Sequence, residues 1–245
     1  MLFRSAVVIG SIGVAALDRG SAGLVMVAVV LVAAALLTAG LSVPPAPALA
    51  RGAAVPERRP GSSWPLLVLG GLAAFAYLVE NAWQSWGAIQ LHTTLGASTA
   101  VSALAPAVFA SAAATGRLAG HTLTSAMAPS ALFATGAATA AAGSVLGALA
   151  PSIPLALVGI AVAGLGTSVC APTLITLAGR VSPAAHGAAT GTVITIAYLG
   201  FVLGPAAVGL VSGATTLPIA LVAVAIIAAG LFLGSPILTR VTARS

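Results

Sequence analysis

Long apolar segments follow one another along almost the whole chain, and they constrain its fold more than any other feature. A helix needs about 20 apolar residues to span the hydrocarbon core of a bilayer. Seven stretches reach roughly that length and the first is shorter; they cover residues 5–17, 24–43, 65–89, 97–118, 131–150, 154–178, 188–212 and 217–238. The sequence therefore predicts an all-α, polytopic membrane bundle with about eight transmembrane helices.

The composition excludes a soluble protein. The chain is 60% hydrophobic and 5% charged, whereas soluble domains contain about 25% charged residues. The net charge of +6 does not indicate nucleic-acid binding, because the arginines stand singly or in pairs at segment ends. One cysteine, Cys170, allows no intramolecular disulfide.

The arginines also predict an orientation. When eight crossings are threaded from a cytoplasmic N-terminus, only Arg19 falls outside, beside Asp18. The cytoplasmic side then receives Arg4, Arg51, Arg58, Arg59, Arg117, Arg180, Arg240 and Arg244. This positive-inside bias predicts a cytoplasmic C-terminus. Residues 5–17 also fit a signal peptide, since Arg4 precedes a short apolar run, and that alternative leaves the later orientation unchanged.

Glu80 is one of three acids in the chain, and it lies inside an apolar segment. A carboxylate at mid-helix costs about 2.5 to 3.5 kcal/mol on insertion scales and commonly marks a functional site. On a helix, Tyr77 and Gln84 share the face of Glu80, and Asn81 and Trp83 flank it. These five residues are the candidate substrate or proton site. Their rings, amides and carboxylate suit a polar or cationic organic solute, and Glu80 is a candidate carrier of a coupling proton.

An interfacial role for Glu80 stays open. Glu80 follows Trp64 by sixteen residues, or about 24 Å of helix rise, which puts the carboxylate in the outer part of the span. There, Trp83 and Trp86 would form an aromatic belt near the headgroups. For Arg117 we favour a role in topology and loop packing.

Small residues favour close helix packing in several segments. The most specific stretch contains Gly200, Gly204 and Gly209, which give one helix face a smooth groove. Pro205 lies within it and removes a backbone hydrogen bond. We interpret these four residues as a packing surface or hinge.

Motifs in a fixed order resemble the major facilitator superfamily of secondary transporters. The polar, proline-rich stretch 44–63 resembles the loop between the two six-helix halves of that family. The residues from Glu80 to Trp86, followed by 95–98, resemble its seventh helix. Gly116, Arg117 and Gly120 resemble the family's cytoplasmic loop motif, here after helix eight. Gly164, Gly166 and Pro172 resemble its helix ten, and residues 198–209 resemble its helix eleven.

The resemblance implies a domain organisation. Residues 1–43 would be the last two helices of the N-terminal half, 44–63 the cytoplasmic inter-half linker, and 64–245 the C-terminal six-helix half. Helices one to four have no counterpart, so the sequence looks N-terminally truncated. His121 and Thr122 stand where the loop motif usually has an acid and a base, which puts any gating salt bridge of that motif in doubt.

The resemblance also implies a function. We expect a secondary active transporter of a small organic solute, proton-coupled and working by alternating access, in a bacterial-type inner membrane. The alternative is a truncated membrane fragment that transports nothing. The expected partners are the lipid bilayer, the solute and protons, with no nucleic acid, no cofactor and no metal ion. An enzyme is not expected, because the three acids are far apart and the histidines are isolated.

Overall fold

The structure is a computed structural model, and it describes residues 63–242. The predicted segments 5–17 and 24–43, and the linker up to residue 62, lie outside the described residues. Within that range, all of the regular elements are helical and none is a strand.

Six helices in the described part of the chain are long and apolar enough to cross a membrane. The first long helix, Ser63–Ile89, continues into a π-helical turn, Gln90–Thr94, and a short helix, Thr99–Ser102, leads into the second long helix, Leu104–Leu123. The bounds are α1 Ser63–Ile89, α2 Thr99–Ser102, α3 Leu104–Leu123, α4 Pro129–Leu149, α5 Ile153–Val181, α6 His186–Ala214 and α7 Leu217–Thr242. The prediction of an all-α, polytopic bundle is confirmed, with one helix for each of the six segments predicted from residue 65 onwards.

Helix α3 ends later than the sequence predicts, and this corrects one assignment. Gly116, Arg117 and Gly120 lie inside α3 and not in the loop that follows it. Helical hydrogen bonding continues to the amide of Thr124, which donates to the carbonyl of Gly120. Apolarity marks where a helix leaves the hydrocarbon core, and a helix can continue beyond that level into the headgroup region.

Helices α4 and α5 form the most extensive contact in the bundle. A methyl group at Gly143 would overlap the backbone of Ala163, and one at Gly159 would overlap the backbone of Gly147. Glycine is therefore required at these positions for the two backbones to approach, as in other membrane helix pairs.

The glycines of α6 form the surface on which α1 packs. A methyl group at Gly200 would overlap the carbonyl group of Ala74, and one at Gly204 would lie 3.0 Å from the carbonyl oxygen of Leu78. Farther along, Gly209 faces the ring of Trp86. This groove holds the helix that carries Glu80 at a fixed rotation.

All three described arginines lie towards one end of the bundle. Short connections make consecutive long helices antiparallel, so the C-terminal ends of α3, α5 and α7 meet at the same end. Arg117 precedes the end of α3 by six residues, while Arg180 and Arg240 are in the last turns of α5 and α7. We call this the arginine end of the bundle.

Candidate functional site around Glu80

Glu80 is buried near the middle of its helix. Together α1 and its π-helical turn form a span from Trp64 to Thr94. Glu80 lies sixteen residues after the first and fourteen before the second. The placement in the outer part of the span rested on the rise from Trp64; because the helical span continues to Thr94, Glu80 lies near the middle of the span's length. The described helices leave the residue only 1% exposed.

Arg117 of α3 reaches Glu80 across the bundle. Its Nη2 atom lies 3.4 Å from Oε1 and 3.5 Å from Oε2 of the carboxylate. The side chain of Glu80 is 2% exposed, and that of Arg117 is 31% exposed. A buried charge is tolerated when an opposite charge compensates it. The sequence favours a role for Arg117 in topology and loop packing; the structure adds that Arg117 is the counter-ion of Glu80.

Gln84, on the same helix as Glu80, adds a hydrogen bond to the carboxylate of this ion pair. Its Nε2 donates to Oε1 of Glu80 at 3.1 Å, one helical turn away. The same oxygen therefore faces an amide donor and a guanidinium donor. We call Glu80, Gln84 and Arg117 the Glu80 network.

Tyr77 and Asn81 face helix α6. Asn81 donates from Nδ2 to the backbone carbonyl of Phe201. The ring of Tyr77 stacks on Tyr198, with centroids 5.9 Å apart, and meets the ring of Phe201 edge-on at 6.2 Å. Tyr77, Tyr198 and Phe201 form an aromatic trio beside the Glu80 network. The set of site residues chosen from the sequence lacks Tyr198 and Phe201, because only the packing of α1 on α6 brings them to Tyr77.

Trp83 points away from the Glu80 network. Its side chain is fully buried, and its Nε1 donates to Oγ of Ser144 at 2.8 Å. The indole packs over Gly147 of α4. Trp83 is thus a buried core residue of α1 whose side chain reaches α4.

Trp86 also turns into the protein. It is half-buried, and its Nε1 donates to the carbonyl of Pro205 at 3.1 Å. The aromatic-belt alternative required the indoles of Trp83 and Trp86 to meet the headgroup region. Both indole N–H groups instead donate within the bundle, so neither is left as a donor to the headgroups.

A cavity of about 360 Å³ opens beside Arg117, between α3, α4 and α5. Besides Arg117 it is lined by His121, at the end of α3, and by Arg180 of α5. Sequence reasoning did not bring these residues together, since 63 positions separate Arg117 from Arg180. In residues 63–242, no cluster of three metal-ligating acids, histidines or cysteines occurs.

Comparison with known proteins bears on this bundle. No protein-family model matches the chain. An uncharacterized MFS-type transporter of Yersinia pestis is 28% identical over 232 residues, which cover 92% of this chain and 59% of the relative. The fold is similar to crystal structures of a bacterial homolog of the human lysosomal transporter Spinster. In the inward-facing, unoccupied form the TM-score is 0.64 at 18% identity, over 74% of this chain and 48% of that one.

The inward-facing, occupied form of the Spinster homolog gives a TM-score of 0.60 at 19% identity, over 72% of this chain and 49% of that one. The resemblance to the major facilitator superfamily is confirmed. The described residues thus form an MFS-like bundle, and the chain is an integral membrane protein. It spans about 59% of the length of the curated relative that it matches.

Proposed function

We propose that the protein works as a secondary active transporter of a small organic solute, coupled to protons and operating by alternating access. The observation that carries the proposal is the buried Glu80 network inside an MFS-like bundle. Ionisable residues inside membrane proteins commonly mark ion pathways and proton relays. Glu80 is the one acid among the described residues. If a carboxylate in this part of the chain carries the coupling proton, that carboxylate is Glu80.

The network offers two states that differ by one proton. With Glu80 ionised, Arg117 holds the carboxylate and links α1 to α3. With Glu80 protonated, the charge attraction is lost and the link weakens. A proton then shifts the balance between two helix arrangements, because it binds one of them better than the other.

The aromatic trio supports binding of an organic solute next to the proton site. Tyr198 is 55% exposed on the surface of α6, and the ring of Tyr77 stacks against its ring. An exposed stacked tyrosine gives a flat apolar face with a polar hydroxyl at its edge. Asn81 and Gln84 add amide groups on the neighbouring face of α1.

The membrane orientation belongs to the same proposal. The arginine end faces the cytoplasm of a bacterial-type cell and the chain ends on that side, as the positive-inside rule favours. The described arginines Arg117, Arg180 and Arg240 support this orientation.

The test measures proton movement in proteoliposomes that contain the full-length protein and a trapped pH-sensitive dye. A panel of organic cations, carboxylates, phosphomonoesters and sugars is added in turn. The wild-type protein should move protons in response to at least one class of solute. Glu80→Gln should lower that flux by at least about tenfold, as for the loss of a proton-transfer group, while solute exchange without net proton movement continues.

The matched control is Arg240→Gln, which removes a charge at the arginine end outside the Glu80 network. Its proton flux should equal that of the wild-type protein. Unchanged flux in Glu80→Gln would remove Glu80 from the coupling mechanism. If no solute class moves protons in the wild-type protein, the transport proposal itself fails.

A further inference from the structure

The charged side chains that line the cavity beside Arg117 are all positive. The ionisable residues of the lining are Arg117, His121 and Arg180, and no described residue of the lining is an acid. The two guanidiniums are permanently charged. Such a concave site with cationic walls attracts anions.

Arg117 has binding capacity beyond its ion pair. The guanidinium carries five N–H donors, whereas a single nitrogen, Nη2, contacts Glu80. The two distances, 3.4 and 3.5 Å, exceed the roughly 2.7 to 2.9 Å of a tight charge-assisted hydrogen bond. The same side chain lines the cavity. It therefore lies between a buried carboxylate and an open space.

The remaining lining also favours an anion with an apolar part. Four hydroxyl side chains line the cavity, and all of them donate to nearby backbone carbonyls: Thr124 to that of His121, and Ser168, Thr173 and Thr176 to carbonyls of their own helix. The basic side chains are therefore the donors left for a ligand. Apolar side chains fill much of the rest of the wall, among them Met127, Leu132, Val169 and Leu177.

The start of helix α4 adds to the positive potential. Pro129 is the first residue of α4 and lines the cavity. The N-cap residue Ala128 provides no side-chain cap. The amino end of a helix carries a partial positive charge, and here it lines the same cavity as the two arginines.

We propose that this cavity binds an anionic organic molecule through a phosphate or carboxylate group, and that Arg117 is shared between this ligand and Glu80. Arg117 and Arg180 hold the anionic group, and the apolar wall holds the remainder of the molecule. A bound anion competes with Glu80 for Arg117 and loosens the ion pair. Binding at this site does not depend on the proposed transport.

The test measures equilibrium binding of octyl phosphate to the purified full-length protein in a neutral detergent. The expected result is saturable binding that Arg117→Gln and Arg180→Gln each weaken by about tenfold, as for the loss of a charged hydrogen bond. Glu80→Gln should strengthen binding several-fold, because the competing carboxylate is gone. Arg240→Gln is the matched control and should bind as the wild-type protein does, since Arg240 does not line the cavity.

The source of the anion is distinguished in lipid nanodiscs. If anionic phosphatidylglycerol blocks octyl phosphate binding and zwitterionic phosphatidylcholine does not, the ligand is a lipid headgroup. If neither lipid blocks it, the ligand is a soluble organic anion. No saturable binding, or equal binding in both cavity-arginine variants and the wild-type protein, overturns the proposal. A transport failure with intact octyl phosphate binding would leave it standing.

Discussion

Arg117 of α3 and Glu80 of α1 meet as an ion pair in which the acid is almost fully covered and the base is about one-third exposed. Because of this asymmetry, loss of the arginine and loss of the acid should affect the stability of the bundle differently. Removal of the arginine leaves a buried carboxylate without its counter-ion, whereas neutralising the acid leaves a cation that still reaches the cavity.

We therefore expect Arg117→Ala to destabilise the bundle by about 2 kcal/mol and Glu80→Gln by less. The double variant should be more stable than Arg117→Ala alone, because it no longer buries an unpaired acid. Thermal unfolding of the purified variants in detergent measures the order. Arg240→Ala is the control and should unfold as the wild-type protein does. If Glu80→Gln proves the most damaging change, the asymmetry described above is wrong.

The glycines of α6 predict a position-specific packing effect. A methyl group at Gly200 would overlap the carbonyl group of Ala74, while one at Gly191 of the same helix meets nothing within 4 Å. We expect Gly200→Ala to lower stability by about 1 to 3 kcal/mol through overpacking. Gly191→Ala should be neutral or slightly stabilising, since alanine favours the helix. Thermal unfolding separates the two, and equal midpoints would show that α1 does not pack closely on α6.

We expect the loss of the Tyr198 ring to weaken solute affinity selectively. The residue is 55% exposed, and its ring stacks on Tyr77. Tyr198→Ala should raise the KM of the proposed transport by about threefold to tenfold, the value of one aromatic contact, with little change in thermal stability. Leu199→Ala is the neighbouring control, because Leu199 is also exposed. A similar rise of KM in both variants would argue against a specific role for the ring.

The orientation is testable with single cysteines. Ser125 lies exposed at the arginine end, between α3 and α4, and Ser152 lies exposed at the opposite end, between α4 and α5. In a Cys170→Ala background, we expect a membrane-impermeant maleimide to label Ser152→Cys in spheroplasts and Ser125→Cys in inverted vesicles. The reverse pattern would contradict a cytoplasmic arginine end.

Much of the fold was predictable because the bilayer imposes it. A membrane span must satisfy its own backbone hydrogen bonds, which requires a helix here, and it must cover itself with apolar side chains. The second requirement is visible in the sequence as long apolar segments. Six segments were located in this way. The end of α3 was placed too early, since apolarity falls off where the helix enters the headgroup region while its hydrogen bonding continues through Thr124.

The sequence also singled out Glu80, since a charge in an apolar span is costly wherever the helix packs. By itself it determined the membrane class, the described helices and this one conspicuous acid. Only the tertiary structure decided that Arg117 is its partner, that Trp83 belongs to the core, and that Arg180 shares a cavity with Arg117. The physical reason is that helix periodicity fixes which residues share a face, whereas the contact between two faces depends on the rotation and depth at which small residues such as Gly200 let the helices pack.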